Sequence, residues 1–140
     1  MEANEKTKSA YWALRIAFGV VPFLAGLDKF FNLLTQWDKY MSPLAQSLLP
    51  VSTTTFMHLA GVIEMVVGIA ILTRWTRLGS YVASVWLVAI ALNLLMAGFL
   101  DVAVRDLVMA VGAYTLAQLS EVREAEPVPL VRPSKIADIA

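Results

Sequence analysis

The run RIAFGVVPFLAGLDK, Arg15 to Lys29, is apolar except near its ends. Gly19, Pro22 and Gly26 recur inside it at intervals of three or four. On a helix, Arg15, Gly19, Pro22, Gly26 and Lys29 share one face. The other faces carry Ile16, Val20, Val21, Phe23 and Leu24. Such a helix has no ordinary water-facing side, so apolar material must surround it. Its stripe of small and charged residues needs a separate explanation.

Working outward, the whole chain is of this kind. It has 140 residues, enough for one domain, and 59% of them are hydrophobic. Charged residues are 16%, too few to clothe a soluble surface of this size. Four apolar stretches approach the length needed to cross ~30 Å of hydrocarbon. They lie near residues 10–32, 55–73, 78–100 and 102–119. The chain reads as an integral membrane protein of all-α class, an up-down bundle of four transmembrane helices. The first stretch is too long for a cleaved signal, contains Arg15 and lacks an A-x-A-like site.

Net charge is zero and there are no cysteines. Nothing points to nucleic acid as a partner. Disulfides, thiolate metal sites and dithiol chemistry within the chain are excluded. A single histidine excludes bis-histidine haem within the chain, and no metal site is expected.

Four spans put both termini on one side. Lys6, Lys8, Arg74, Arg77, Arg123, Arg132 and Lys135 all fall on that side. The opposite side has Lys39, with Lys29 and Arg105 at helix margins. Basic residues favour the cytoplasm, so both termini are expected there. Residues 1–9 read as a cytoplasmic tail and 10–119 as the membrane domain. Residues 33–50 form a connection with helical apolar spacing, read as one or two amphipathic helices on the outer surface. Ser42–Pro43 marks a helix start within it, and Trp37 and Tyr40 suit the interface. Residues 120–140 are proline-rich and read as an extended cytoplasmic tail able to dock a partner.

The second span repeats the design of the first, with Gly61, Glu64, Gly68 and Ile71 on one face. Small residues let membrane helices approach closely. Pro22 removes a backbone bond and predicts a kink. The charges carry more information, because each costs roughly 2.5–3.5 kcal/mol near the bilayer centre. Arg15, Asp28, Lys29, Glu64, Arg105 and Asp106 balance in sign, so the stripe is expected to face the bundle interior and pair there. By depth, Lys29, His58, Asn93, Arg105 and Asp106 fall in the outer half. An Arg15–Glu64 pair fits deeper. Simpler roles exist for each: Arg15 can reach lipid phosphates, and Asp28 and Lys29 can mark a helix end. His58 can pack, and Arg105 and Asp106 can cap the fourth span. Glu64 is hardest to explain away, since a mid-span carboxylate must be paired, hydrogen-bonded or protonated.

An arginine early in span one followed by GVVPFLAGLDKF resembles the DoxX-like membrane proteins (DoxX/DoxD, related to MauE-type proteins). So do AGVIEMVVGIAILTRWTRLG in span two and the Arg105–Leu107 element opening span four. The resemblance covers roughly residues 10–119. It implies a four-helix membrane bundle in a prokaryotic inner membrane. Its named relatives include a subunit of a thiosulfate–quinone oxidoreductase and proteins of redox-protein maturation. The family pattern falls on Arg15, Gly19, Gly26, Lys29, Gly61, Glu64, Gly68, Arg105 and Asp106.

Two functional expectations follow. In the first, the chain is the membrane subunit of a quinone-linked redox complex. Lys29, His58, Asn93 and Arg105 would then donate hydrogen bonds to a quinone headgroup. Glu64 and Asp106 would relay protons, with Gly19, Pro22 and Gly26 leaving room. In the second, it is a non-catalytic accessory subunit, packed on other membrane subunits and on lipid. Its charges would then be ion pairs fixing helix register. No catalytic signature of its own is present. A channel is weaker, because pores usually show rings of one sign of charge.

Overall fold

The computed structural model describes residues 2–127, and these are helical with no strand among them. Four long helices, α1 (Glu2–Asp28), α3 (Thr53–Leu72), α4 (Thr76–Ala97) and α5 (Leu100–Ala125), run up and down. A 3₁₀ turn (Trp37–Tyr40) and a short helix α2 (Pro43–Leu48) lie between α1 and α3. α1, α3 and α4 are each long and apolar enough to cross a membrane. α5 is long enough but has Asp101, Arg105 and Asp106 in its first two turns, and it stands outside that set. Large apolar side chains such as Val21, Leu24, Val66, Val85 and Val108 are exposed around the bundle, as lipid contact requires.

The helix ends differ from the expected spans for local reasons. α1 begins at Glu2, so most of the expected N-terminal tail is helical. Glu2 and Glu5 suit a helix N-terminus, and Lys8 pairs with Glu5 at 3.7 Å. The helix runs through Pro22 and stops at Asp28, not at residue 32. Asn32 there takes a left-handed backbone (φ 53°), which ends any helix. Ser42 caps α2 by accepting from Ala45 N at 3.1 Å, with Pro43 at the first helical position. Ser52 caps α3 in the same way at 3.2 Å.

The turn between α4 and α5 sits at Gly98–Phe99, earlier than the expected turn near Asp101. Gly98 has φ 86°, and Phe99 N donates to Leu94 O at 2.9 Å, the closing bond of a glycine-terminated helix. α5 continues past residue 119 to Ala125, so the start of the expected tail is helix. Residues 128–140 of that tail lie outside the described residues.

α1 packs closely along α3, and α4 along α5; α3–α4 and α1–α5 contacts close the bundle. The first pair meets backbone to backbone. A Cβ on Gly26 would overlap the carbonyl of Gly61, and one on Gly61 would overlap that of Gly26. Seven residues further along each helix, Gly68 lies against the carbonyl of Gly19. These contacts fix the register: Gly26 stands level with Gly61, and Gly19 with Gly68. The α4–α5 seam is alanine-rich instead, with Ala83, Ala91, Ala103, Ala110, Ala113 and Ala117 all buried. Ser84 donates across it to Ala110 O at 2.8 Å. Toward the termini, Tyr11, Val67, Ile71, Ala83, Ala113 and Leu116 form a core joining all four long helices.

A Gly26→Ala change should therefore destabilise the bundle by about 1–3 kcal/mol, as overpacking does. Val66→Ala, on the exposed face of α3, should stay within about 0.5 kcal/mol. Unfolding in detergent, followed by circular dichroism, makes the comparison. Equal effects would mean that α1 and α3 are not in backbone contact.

Candidate functional site

The polar residues gather at the end of the bundle that bears the 29–52 connection. Lys29, just past α1, meets Glu64 of α3: Nζ to Oε2 is 2.7 Å, and both side chains are buried. The Gly26–Gly61 contact brings the two helices close enough for this. Trp86 of α4 donates its indole N–H toward the other Glu64 oxygen at 3.4 Å. On the far side, the Lys29 ammonium sits 3.7 Å from the centre of the Trp37 ring. A cation over an indole face is attracted by the ring quadrupole. One ion pair thus ties α1, α3, α4 and the connection together.

Asp28 lies beside it and is also buried. Its carboxylate accepts from Leu33 N at 2.9 Å, Leu34 N at 3.0 Å and the Trp37 indole at 2.9 Å. Asp28 therefore places the indole that covers Lys29. Asn93 of α4 works on the next part of the connection. It donates to Tyr40 O at 2.7 Å and accepts from Ser42 N at 2.9 Å. Its amide spans the chain just before α2.

Asp106 of α5 is buried, 8% exposed, and near enough to Lys29 and Glu64 to feel both charges. It makes no hydrogen bond among the described residues. His58 stacks on Phe30, with ring centroids 4.6 Å apart and planes 14° apart. Arg105 is exposed.

Arg15 lies at the other end of the bundle. Its Nε donates to Ile71 O at 2.9 Å, and its Nη2 to Leu72 O at 3.1 Å and Thr73 O at 2.7 Å. These carbonyls at the C-terminus of α3 lie beyond its helical hydrogen bonding, where a cation is favoured, and Thr76 Oγ1 donates to two of them, Ile71 O and Thr73 O. The expected Arg15–Glu64 pair is therefore not formed: Glu64 belongs to Lys29, and Arg15 caps α3. Gly19, Gly26, Gly61 and Gly68 are buried in the α1–α3 contact, and Pro22 is partly buried beside them.

These placements bear on the chemistry. A quinone headgroup needs donors converging on two carbonyl oxygens. Lys29 is held by Glu64, Asn93 by the connection, Arg105 is exposed and His58 is stacked. Two shallow, open depressions lie on the surface, one along Tyr81, Val82, Val85, Trp86 and Ala89 and another at Arg74 and Trp75. Among the described residues no group of His, Asp or Glu is placed to hold a metal.

Residues 10–100 match the family model for DoxX, well over half of the chain. The chain belongs to the DoxX family. The match takes in α1 through α4 and ends at Leu100, where α5 starts. The ion pair and the glycine contacts of this DoxX chain therefore lie inside the matched region, and Asp106 lies beyond it. No curated protein and no solved structure matches the chain.

Sequence reasoning missed Trp37 and Trp86 as members of the polar cluster, and it placed Asp28 among the interior charges without its role as acceptor for the turn behind it. Asp28 has the form of a simple helix-end residue. Its structural signal is five apolar or amide residues, FFNLL, close behind it, whose backbone needs an acceptor.

Breaking the buried pair should cost far more than replacing it. Lys29→Met alone should lose about 3–5 kcal/mol, and adding Glu64→Leu should recover most of that loss. A double-mutant cycle on unfolding in detergent measures the coupling; additive losses would mean that the two side chains do not meet. Asn93→Leu removes two hydrogen bonds, each worth roughly 0.5–1.5 kcal/mol. Met41 is buried against that joint. A thiol introduced by Met41→Cys should then react with maleimide about tenfold faster when Asn93→Leu is added, since ~1.4 kcal/mol is tenfold.

Proposed function

We propose that this chain is a non-catalytic integral membrane subunit of a membrane redox complex, with four spans and both termini in the cytoplasm. The observation that carries the subunit reading is that its conspicuous polar residues hold its own frame. Lys29 is matched to Glu64, Arg15 to the end of α3, Asp28 to the turn behind it and Asn93 to the connection. These contacts fix helix register and close one end of the bundle. The redox setting comes from the family resemblance.

α5 is the fourth span in this reading. At ~1.5 Å per residue, its 26 residues exceed the hydrocarbon thickness. Its outer face, with Val104, Leu107, Val108 and Val111, is apolar, and Asp106 is turned inward. The basic residues at the end bearing the termini support a cytoplasmic position for both. The exposed apolar faces offer contact to lipid and to neighbouring subunits, and residues 120–140 offer a site for a cytoplasmic partner. A prokaryotic inner membrane suits the family.

A quinone-contributing role is the second reading. Asp106 favours it, as a largely buried residue on α5 whose carboxylate has no hydrogen-bond partner among the described residues and is not wholly shut off from the surface. Purification from native membranes in a gentle detergent, with mass spectrometry and lipid extraction of what co-elutes, separates the two. The subunit reading expects the chain inside a larger complex carrying its own redox centres, and expects Glu64→Gln to lower the amount assembled. A chain that emerges alone with stoichiometric quinone, lost on Asp106→Asn with the fold retained, would replace it with the second reading.

A further inference from the structure

The turn after α1 carries four large apolar side chains that stay exposed, Phe30 even though its ring stacks on His58. Phe30 is 40% exposed, Phe31 63%, Leu33 84% and Leu34 72%. In water such a cluster would be a liability. Its depth explains it. Gly26 stands level with Gly61, and Phe30 stacks on His58, one turn into α3. α3 has 20 residues, about 30 Å at ~1.5 Å each, just the hydrocarbon thickness. The turn therefore lies alongside the first turns of α3, below the boundary that α3 must reach to cross.

Irregular backbone at that depth is tolerated only when its polar groups are satisfied from within. Here the run of N–H groups from Lys29 to Leu34 is satisfied throughout. Lys29 and Phe30 donate to helix carbonyls, Lys29 N to Ala25 O at 3.3 Å and Phe30 N to Leu27 O at 3.1 Å. The next four all end on Asp28. Phe31 N and Asn32 N reach its carbonyl at 2.9 and 2.7 Å, and Leu33 N and Leu34 N reach its carboxylate. Asn32 folds its own amide back toward Trp37 N at 3.4 Å. The N–H groups of the turn are thus spent within the chain, and the large side chains left at its surface are apolar, which suits acyl chains better than water. Beyond it, Trp37 and Tyr40 are interface residues, and Asp38 accepts from Thr54 Oγ1 at the start of α3.

We propose that this Asp28-organised turn is a lipid-seated wedge, with Phe30, Phe31, Leu33 and Leu34 inserted into the acyl region of the leaflet at that end of the bundle. Asp28 permits the insertion by taking up the backbone donors. The proposal needs α1 and α3 to cross the membrane and is independent of any redox role.

The chain has no cysteine, so single-cysteine variants report without background. Phe31→Cys and Leu33→Cys would carry a bimane fluorophore in vesicles of phosphatidylethanolamine and phosphatidylglycerol. Val66→Cys, on the exposed face of α3, serves as the lipid reference, and Glu126→Cys, after α5, as the aqueous one. The wedge predicts that labels at 31 and 33 are quenched by doxyl lipids as at 66, and several-fold less by iodide than at 126. Iodide quenching equal to that at 126 would overturn it, as would protection from both quenchers, which would mean a protein covers the turn. Adding Asp28→Ala should raise iodide quenching at 33 several-fold and leave the label at 66 unchanged. Asp28→Asn, which keeps one acceptor oxygen, should fall between. Unchanged lipid quenching at 33 in both variants would remove Asp28 from the account.

Discussion

A lysine ammonium and a glutamate carboxylate, 2.7 Å apart and shut off from water, set the terms for this bundle. Neither charge is tolerable alone in hydrocarbon. Together they require that α1 and α3 lie side by side, antiparallel, in one register. The glycines make that register reachable, because Gly26 and Gly61 let the two backbones touch where the pair must form. Trp86 and Trp37 then complete the surroundings of the pair from α4 and from the connection. Geometry at one end of the molecule is thus dictated by an electrostatic need inside it.

The two helix pairs are built on different principles. α1 and α3 depend on close backbone approach and on charge. α4 and α5 depend on a long alanine seam crossed by the Ser84–Ala110 bond, with further polar links at the end bearing the termini: Tyr81 to Glu121 at 2.6 Å and Arg77 to Glu124 at 2.8 Å. Tyr11 and Ile71 from the first pair meet Ala113 and Leu116 of α5 in the shared core. The ends of the bundle are therefore secured by separate means, carboxylate–lysine contact at one and arginine on helix carbonyls at the other.

Much of this is legible in the sequence. The spacing of Gly19, Gly26, Gly61 and Gly68 identifies the contacting faces, and the balance of charges says that they turn inward. Serine and proline at 42–43 mark where α2 starts. Partner choice is not legible in the same way. Arg15 and Glu64 look like a pair by depth alone, yet a long guanidinium reaches the carbonyls at the end of α3 before it reaches a carboxylate nine residues up that helix. The end of α1 was hidden for a related reason: FFNLL is apolar enough to continue a span, and a single carboxylate folding back on the backbone ends it. Asn93 and Arg105 match in depth but differ in direction, which depends on the rotation of α4 and α5 about their axes.

The separation of charge and counter-charge along the chain has a consequence for how the protein is made. Lys29 precedes its partner by 35 residues, and Arg15 precedes its carbonyl partners by 56 to 58. When α1 leaves the ribosome, neither exists beside it. The first helix must wait at the insertion machinery, or with its cations held toward the two aqueous faces, until α3 is synthesised. A chain cut before Leu72 would leave Arg15 without the carbonyls that hold it in the finished bundle.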